Sequence, residues 1–205
     1  MIVPSDITGV VLAGGAGSRM GGMDKGLQTC SGMPMALHAL LRLQPQVGQS
    51  MISANRNLTT YRTFGVPVVP DALHGHAGPL AGFLAALENC RTAWLATVPC
   101  DTPWFPADLV RRLADAADDE HTDLALAVAR EASGGPLRVQ PVFCLLRVSL
   151  KESLRAFLDS GGRKAVAWAR AQRMSEVRFD RPADDARAFV NANTLDELRQ
   201  LEQVK

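Results

Sequence analysis

Apolar residues along this chain follow two rhythms. Short continuous runs, rich in β-branched residues, read as buried strands. They are "TGVVLAG" (8–14), "SMISA" (50–54), "VPVVPD" (66–71), "TAWLATVPC" (92–100), "DLALAVAR" (123–130) and "VQPVFCLL" (139–146). Between them lie longer stretches with helical spacing. "MALHALLRL" (35–43) sets Leu37, Leu40 and Leu41 on one face. "GPLAGFLAALENC" (78–90) enters a helix at Pro79, a favoured first-turn residue, and "PADLVRRLADAA" (106–117) repeats that start. "SLKE" (149–152) and "TLDE" (194–197) match the capping box, Ser or Thr with Glu three residues on, and each leads into a helix. Strands alternating with helices predict an α/β fold: a mostly parallel sheet covered on both faces.

In such sheets ligands bind beyond the carboxyl ends of the strands. The segments expected there are "AGGAGSRMGGMDKG", "NRN", "PDALHGHAGP", "CDTP" and "RVQP". The first carries most of the chemistry. Residues 10–27 hold six glycines, Arg19 and Lys25, directly after the first strand. Glycine lets a backbone approach a ligand closely, and successive N–H groups form a nest for phosphate oxygens. Two familiar phosphate loops do not fit. A Walker A loop needs Gly-Lys-Ser/Thr, but Asp24 precedes Lys25 and Gly26 follows it. A dinucleotide fingerprint starting at Gly15 meets Met20 at its third glycine. A plain surface loop is the other reading, since loops favour glycine.

Bulk properties narrow the field. The 205 residues suit one domain spanning 1–205, and a net charge of +1 excludes the strong basic excess of a non-specific nucleic-acid binder. "MIVPSDITGV" lacks the basic start of a signal peptide, and no apolar run is long enough to span a membrane. Cys30, Cys90, Cys100 and Cys144 lie far apart with no CxxC pair, which points to reduced thiols in a cytoplasmic protein.

Taken whole, "LAGGAGSRMGGMDKGL" (12–27) resembles the signature of the molybdenum cofactor guanylyltransferases, the MobA type. "ANR" (54–56), "GPLAG" (78–82), "PCDTP" (99–103) and "FVNANT" (189–194) follow in the same order and at similar spacing in that family. The resemblance implies a three-layer Rossmann-like nucleotidyltransferase fold. It also implies transfer of GMP from Mg-GTP to molybdopterin-bound molybdenum cofactor, with pyrophosphate released. Mg²⁺ is the implied cofactor. GTP and the molybdenum cofactor are the implied substrates, and molybdenum enzymes or cofactor-delivery proteins the implied recipients, with no nucleic acid and no membrane.

Individual residues take roles on that reading. Asp101 ends a strand and suits Mg²⁺, which is held by one or two carboxylates plus phosphates and water; the alternative is a helix N-cap. Lys25 and Arg19 would neutralise phosphate charge as pyrophosphate leaves. Leu12, Ala13, Gly14 and Gly15 would line the nucleotide with Ser53, Asn55 and Asp71, where Asp71 accepts from a ribose hydroxyl or a guanine edge, or else is a turn residue. Relatives often carry Asn at position 53, so Ser53 departs from the pattern with a shorter reach. Arg163 and Lys164 would hold the acceptor's phosphate, or form a solvated helix face. Asn191 and Asn193 would hold the pterin, or form a turn. "HGH" (74–76) has too few ligands for a metal, and Cys100 reads as a packed thiol. The loop reads LAGG where cytidylyl-type relatives resemble LAAG, and with Gly15 taken as the differing glycine this implies room for a purine and preference for GTP. Cytidylyl transfer is the rival activity. A non-catalytic nucleotide or cofactor binder is the rival class, and the presence of both Lys25 and Asp101 argues against it.

Overall fold

The structure, a computed structural model, describes residues 1–14, 24–71, 78–130, 135–185, 187–192 and 197. Its centre is a seven-stranded sheet built from β1 (Ile7–Leu12), β4 (Gln49–Ser53), β5 (Val68–Val69), β6 (Trp94–Pro99), β7 (Leu124–Arg130), β8 (Leu137–Arg147) and β9 (Met174–Phe179). The order across the sheet is β5-β4-β1-β6-β8-β7-β9. Neighbours pair parallel except around β8, which runs antiparallel to β6 and β7. A small hairpin, β2 (Thr29–Cys30) and β3 (Met33–Pro34), stands apart.

The two-residue alternation of β1 explains the layering. Val11 faces one apolar cluster and Val10 the other, and both are fully buried. The Val11 side is covered by α1 (Met35–Leu43) and α4 (Leu109–Asp119). The Val10 side is covered by α3 (Pro79–Asn89), α5 (Lys151–Asp159) and α6 (Ala165–Ala169). The mostly parallel, double-covered sheet expected from the pattern is therefore present. Short α2 (Leu58–Arg62) follows β4.

Several local expectations are corrected. α1 buries Ala36, Ala39, Leu40 and Leu43, so its core face is rotated away from Leu41, which is 48% exposed. α4 starts at Leu109 behind Asp108, not at the proline. Ser149 caps nothing: it sits in a 3-10 turn (Val148–Leu150), and Leu150 takes the N-cap position of α5. The "TLDE" segment lies largely outside the described residues. "RVQP" (138–141) lies within β8 rather than after a strand, yet β8 runs backwards, so its first residues still reach the carboxyl edge, with Leu137 opposite Arg130.

β9 and the segment after it are tied to the body by Arg112 of α4. Its buried guanidinium lies 3.9 Å over the Phe179 ring and donates to Asp184 Oδ1 at 2.8 Å and Oδ2 at 3.3 Å. Burial alone would raise the Asp184 carboxyl, but Arg112 and the Arg181 N–H outweigh burial and hold it below its ordinary value of 3.8. A carboxyl lowered by folding contributes stability that is complete above the unfolded pKa and is lost as pH falls through the folded one. Asp184→Asn should therefore cost about 3 kcal/mol at neutral pH by leaving a buried charge poorly paired. It should also flatten the loss of stability between about pH 5 and 3. Denaturant midpoints across that range check both, and an acid limb as steep as the parent's would remove Asp184 from it.

Candidate active site

The strand order reverses at β1: β4 and β5 lie on one side, β6 on the other. The carboxyl end of β1 is therefore the switch point, the usual ligand position of an open α/β sheet.

On the β4–β5 side, Asn55 and Asp71 bond reciprocally. The Asp71 N–H donates to Asn55 Oδ1 at 2.8 Å, and Asn55 Nδ2 donates to Asp71 Oδ2 at 2.7 Å. Ser53 is 1% exposed, and its hydroxyl donates to Asp71 Oδ1 at 3.2 Å. Ser53 thus lies behind Asp71 and orients it. Gly14 closes this side: a Cβ there would lie 3.1 Å from Asn55 Nδ2 and 3.6 Å from Asp71 Oδ2. Letter for letter, LAGG and LAAG differ at position 14 rather than 15, so the contrast falls on this wall. Gly82, in the first turn of α3, is forced by close approach, since a Cβ would meet Leu12 Cδ2 and Ser53 Oγ at 2.9 Å. The Leu12 carbonyl accepts from the Cys100 N–H at 3.1 Å, and the Ala13 N–H donates to the Ser53 carbonyl at 2.8 Å. Both backbones are thereby fixed at the switch point.

On the β6 side, Asp101 follows the strand directly. Lys25 Nζ donates to its Oδ2 at 3.3 Å, joining residues 76 positions apart. Both side chains keep about a fifth of their surface exposed. The Asp101 carbonyl accepts from the Ala192 N–H at 2.8 Å, and the buried Thr102 hydroxyl donates to Asn191 Oδ1 at 2.6 Å. Burial, and next the neighbouring Asp101 charge, push the Cys100 thiol well above its usual range, so it stays a packed, protonated thiol.

Sequence grouped Asn191 with Arg163 and Lys164, but they take different positions. Asn191 belongs to the Asp101 cluster. Arg163 donates to the Leu158 and Gly162 carbonyls at 2.9 and 2.7 Å, closing the end of α5. Lys164 is the exposed N-cap of five-residue α6. α5 and α6 form a hairpin whose open end is joined by Ser153, Trp168 and Gln172. β8 ends and β9 begins at the amino edge, so the open end of the hairpin stands there, and both cations lie at its closed end. Gly15, Arg19, Asn193 and "HGH" lie outside the described residues. Asp24, Asn57, Tyr61 and Thr102 were missed. Asp24 and Thr102 stood inside quoted motifs and Asn57 ended "NRN", whereas Tyr61 had no local signal.

A glycine-rich strand end, a cation facing a strand-end carboxylate and a polar cluster across the switch point define a nucleotidyltransferase. A family model described as the MobA-like NTP transferase domain matches residues 9–176. A molybdenum cofactor guanylyltransferase of Acidovorax ebreus (strain TPSY) is 61% identical, with 98% of each chain covered. One of Bordetella petrii is 60% identical, covering 98% of this chain and 100% of its own. The crystal structure of molybdopterin-guanine dinucleotide biosynthesis protein A from Archaeoglobus fulgidus superposes with a TM-score of 0.77 at 19% identity, over 96% of this chain and 97% of that one. The chain belongs to the molybdenum cofactor guanylyltransferase family, within the MobA-like nucleotidyltransferases.

Proposed function

We propose that the chain transfers GMP from GTP to molybdopterin-bound molybdenum cofactor and releases pyrophosphate. The observation that carries this reading is the Lys25–Asp101 contact at the carboxyl edge, beside the end of the glycine-rich loop. An acceptor phosphate oxygen attacks the α-phosphorus, and the bond to the bridging oxygen breaks. Catalysis of this kind is chiefly positioning and electrostatic stabilisation. Lys25 and Arg19 offset charge on the departing phosphates. Leu12 through Gly15, Asn55 and Asp71 face the nucleoside, with Ser53 behind Asp71. Asn191, Asn193, Arg163 and Lys164 take the acceptor.

Asp101 fits a Mg²⁺ ion by its donor set. Its Oδ1 has no hydrogen-bond partner among the described residues, and no cluster of three ligating side chains occurs among them. A lone carboxylate suits a small hard cation that keeps phosphate oxygens and waters as its other ligands. Bound there, the ion would neutralise phosphate charge. The four free cysteines suit a reducing cytoplasm, and no helix among the described residues is long and apolar enough to cross a membrane.

The test is pyrophosphate release with molybdopterin, Mg²⁺ and each nucleotide at matched concentration. GTP should outpace CTP and ATP. Guanine presents donors at N1 and N2 that Asp71 accepts, and a site built on such bonds discriminates by up to ~10⁴. Faster turnover with CTP would move the activity to cytidylyl transfer, and binding without pyrophosphate release would make the chain a nucleotide binder.

A further inference from the structure

Lys25 reaches Asp101 from a backbone that is clamped in an unusual way. The carboxylate of the residue before it, Asp24, accepts three hydrogen bonds among the described residues. Gly26 N–H donates to Oδ1 at 3.1 Å, the Tyr61 hydroxyl donates to Oδ1 at 2.7 Å, and Asn57 Nδ2 donates to Oδ2 at 2.9 Å. The first of these caps the 3-10 turn Lys25–Leu27. Tyr61 is fully buried and packs edge-on against Phe64 at 5.7 Å. Its hydroxyl lies so close to Gly26 that a Cβ there would be 2.3 Å away. Asn57 holds a left-handed backbone, φ 50°, which few residues adopt cheaply. Packing alone would be served by phenylalanine. The hydroxyl is aimed at a carboxylate 37 positions earlier in the chain, beside Lys25.

We propose that Tyr61 is a positioning residue for the transfer reaction: through Asp24 it fixes the backbone from which Lys25 meets the transferring phosphates. This rests on the assignment of Lys25 above. Burial first, and then the bond to Asp24, push the phenol far above its usual range, so it stays protonated and keeps donating. Bonds to a charged acceptor are the strong kind, and small misplacements of a reacting group are costly in rate.

Tyr61→Phe keeps the ring and removes the bond. The rate at saturating substrates should fall about tenfold to a hundredfold while KM for GTP stays within about twofold. Combined with Lys25→Ala, the same change should alter the rate less than about twofold, because both act on one group. Tm falls in either case, since a buried bond to a carboxylate is lost; a purely structural tyrosine would leave the kcat of the folded variant intact or give the same decrement in both backgrounds, and either result overturns the proposal. Sequence offers a second readout, since Lys25 is one of four lysines. After reductive ¹³C-methylation its resonance, identified with Lys25→Arg, should shift or broaden in Tyr61→Phe, and an unchanged resonance counts against the clamp. This readout needs no turnover, so it separates failure of the clamp from failure of the assigned reaction. If Tyr61→Phe does not fold, Asn57→Gly serves instead: it tolerates the left-handed backbone, removes one donor, and should shift rate and resonance the same way.

Discussion

Asp101→Asn should give a folded protein whose pyrophosphate release from GTP falls by about a thousandfold or more, the rate equivalent of the several kcal/mol a bound cation contributes to charge stabilisation. The substitution keeps the shape of the side chain. Its backbone carbonyl still accepts from Ala192, so the closing segment 187–192 stays docked on the end of β6. The oxygen facing Lys25 can remain an acceptor, and loss of the ion pair costs about 1 kcal/mol or less at a partly exposed site. What disappears is the negative charge that a hard cation requires. Thermal unfolding near the parent's Tm, with no turnover at millimolar Mg²⁺, is the expected pair of results. A folded variant within tenfold of the parent's rate would remove Asp101 from the metal site.

The sequence made the frame of this site readable and left much of its wiring hidden. β1, β6 and β7 are largely apolar runs buried on both faces, which locates all three, and the glycine after β1 and the proline of β6 mark where those two end. Because ligands of such sheets bind at strand ends, Lys25, Asp71 and Asp101 stand out there as candidates. β9 escaped notice because it is an edge strand, with exposed Glu176 and half-buried Val177 beside exposed Arg178, a pattern shared with loops. The polar character of Asn191 was visible in the sequence, but its place was not. Only the tertiary contact between Thr102 and Asn191, 89 positions apart, shows which cluster it joins. Arg163 read as a cation for the acceptor, and only the structure shows that its guanidinium also closes a helix end within five residues of itself. Ser53 read as a shortened base contact, whereas burial turns it toward Asp71. These contacts stayed hidden for one reason: a polar side chain's partner is set by the packing around it, which no local pattern encodes.

Lys25→Ala should slow the chemical step by ~10²–10³, comparable to removing one preorganised oxyanion donor. The ammonium stands 3.3 Å from Asp101, and on the proposed reading it meets the phosphates on which negative charge builds as pyrophosphate departs. An interaction that strengthens as charge develops lowers the barrier more than it tightens the ground state, so kcat should fall further than KM for GTP rises. The turn that carries Lys25 does not depend on its side chain. Asp24 retains its bonds to Gly26, Tyr61 and Asn57, and Tm should move little. Lys25→Arg should restore part of the rate, since charge returns but the planar fork and longer reach do not match a point ammonium. Single-turnover measurements at saturating GTP and acceptor isolate the step. A rate equal to the parent's there would leave Lys25 a partner of Asp101 with no part in the transfer.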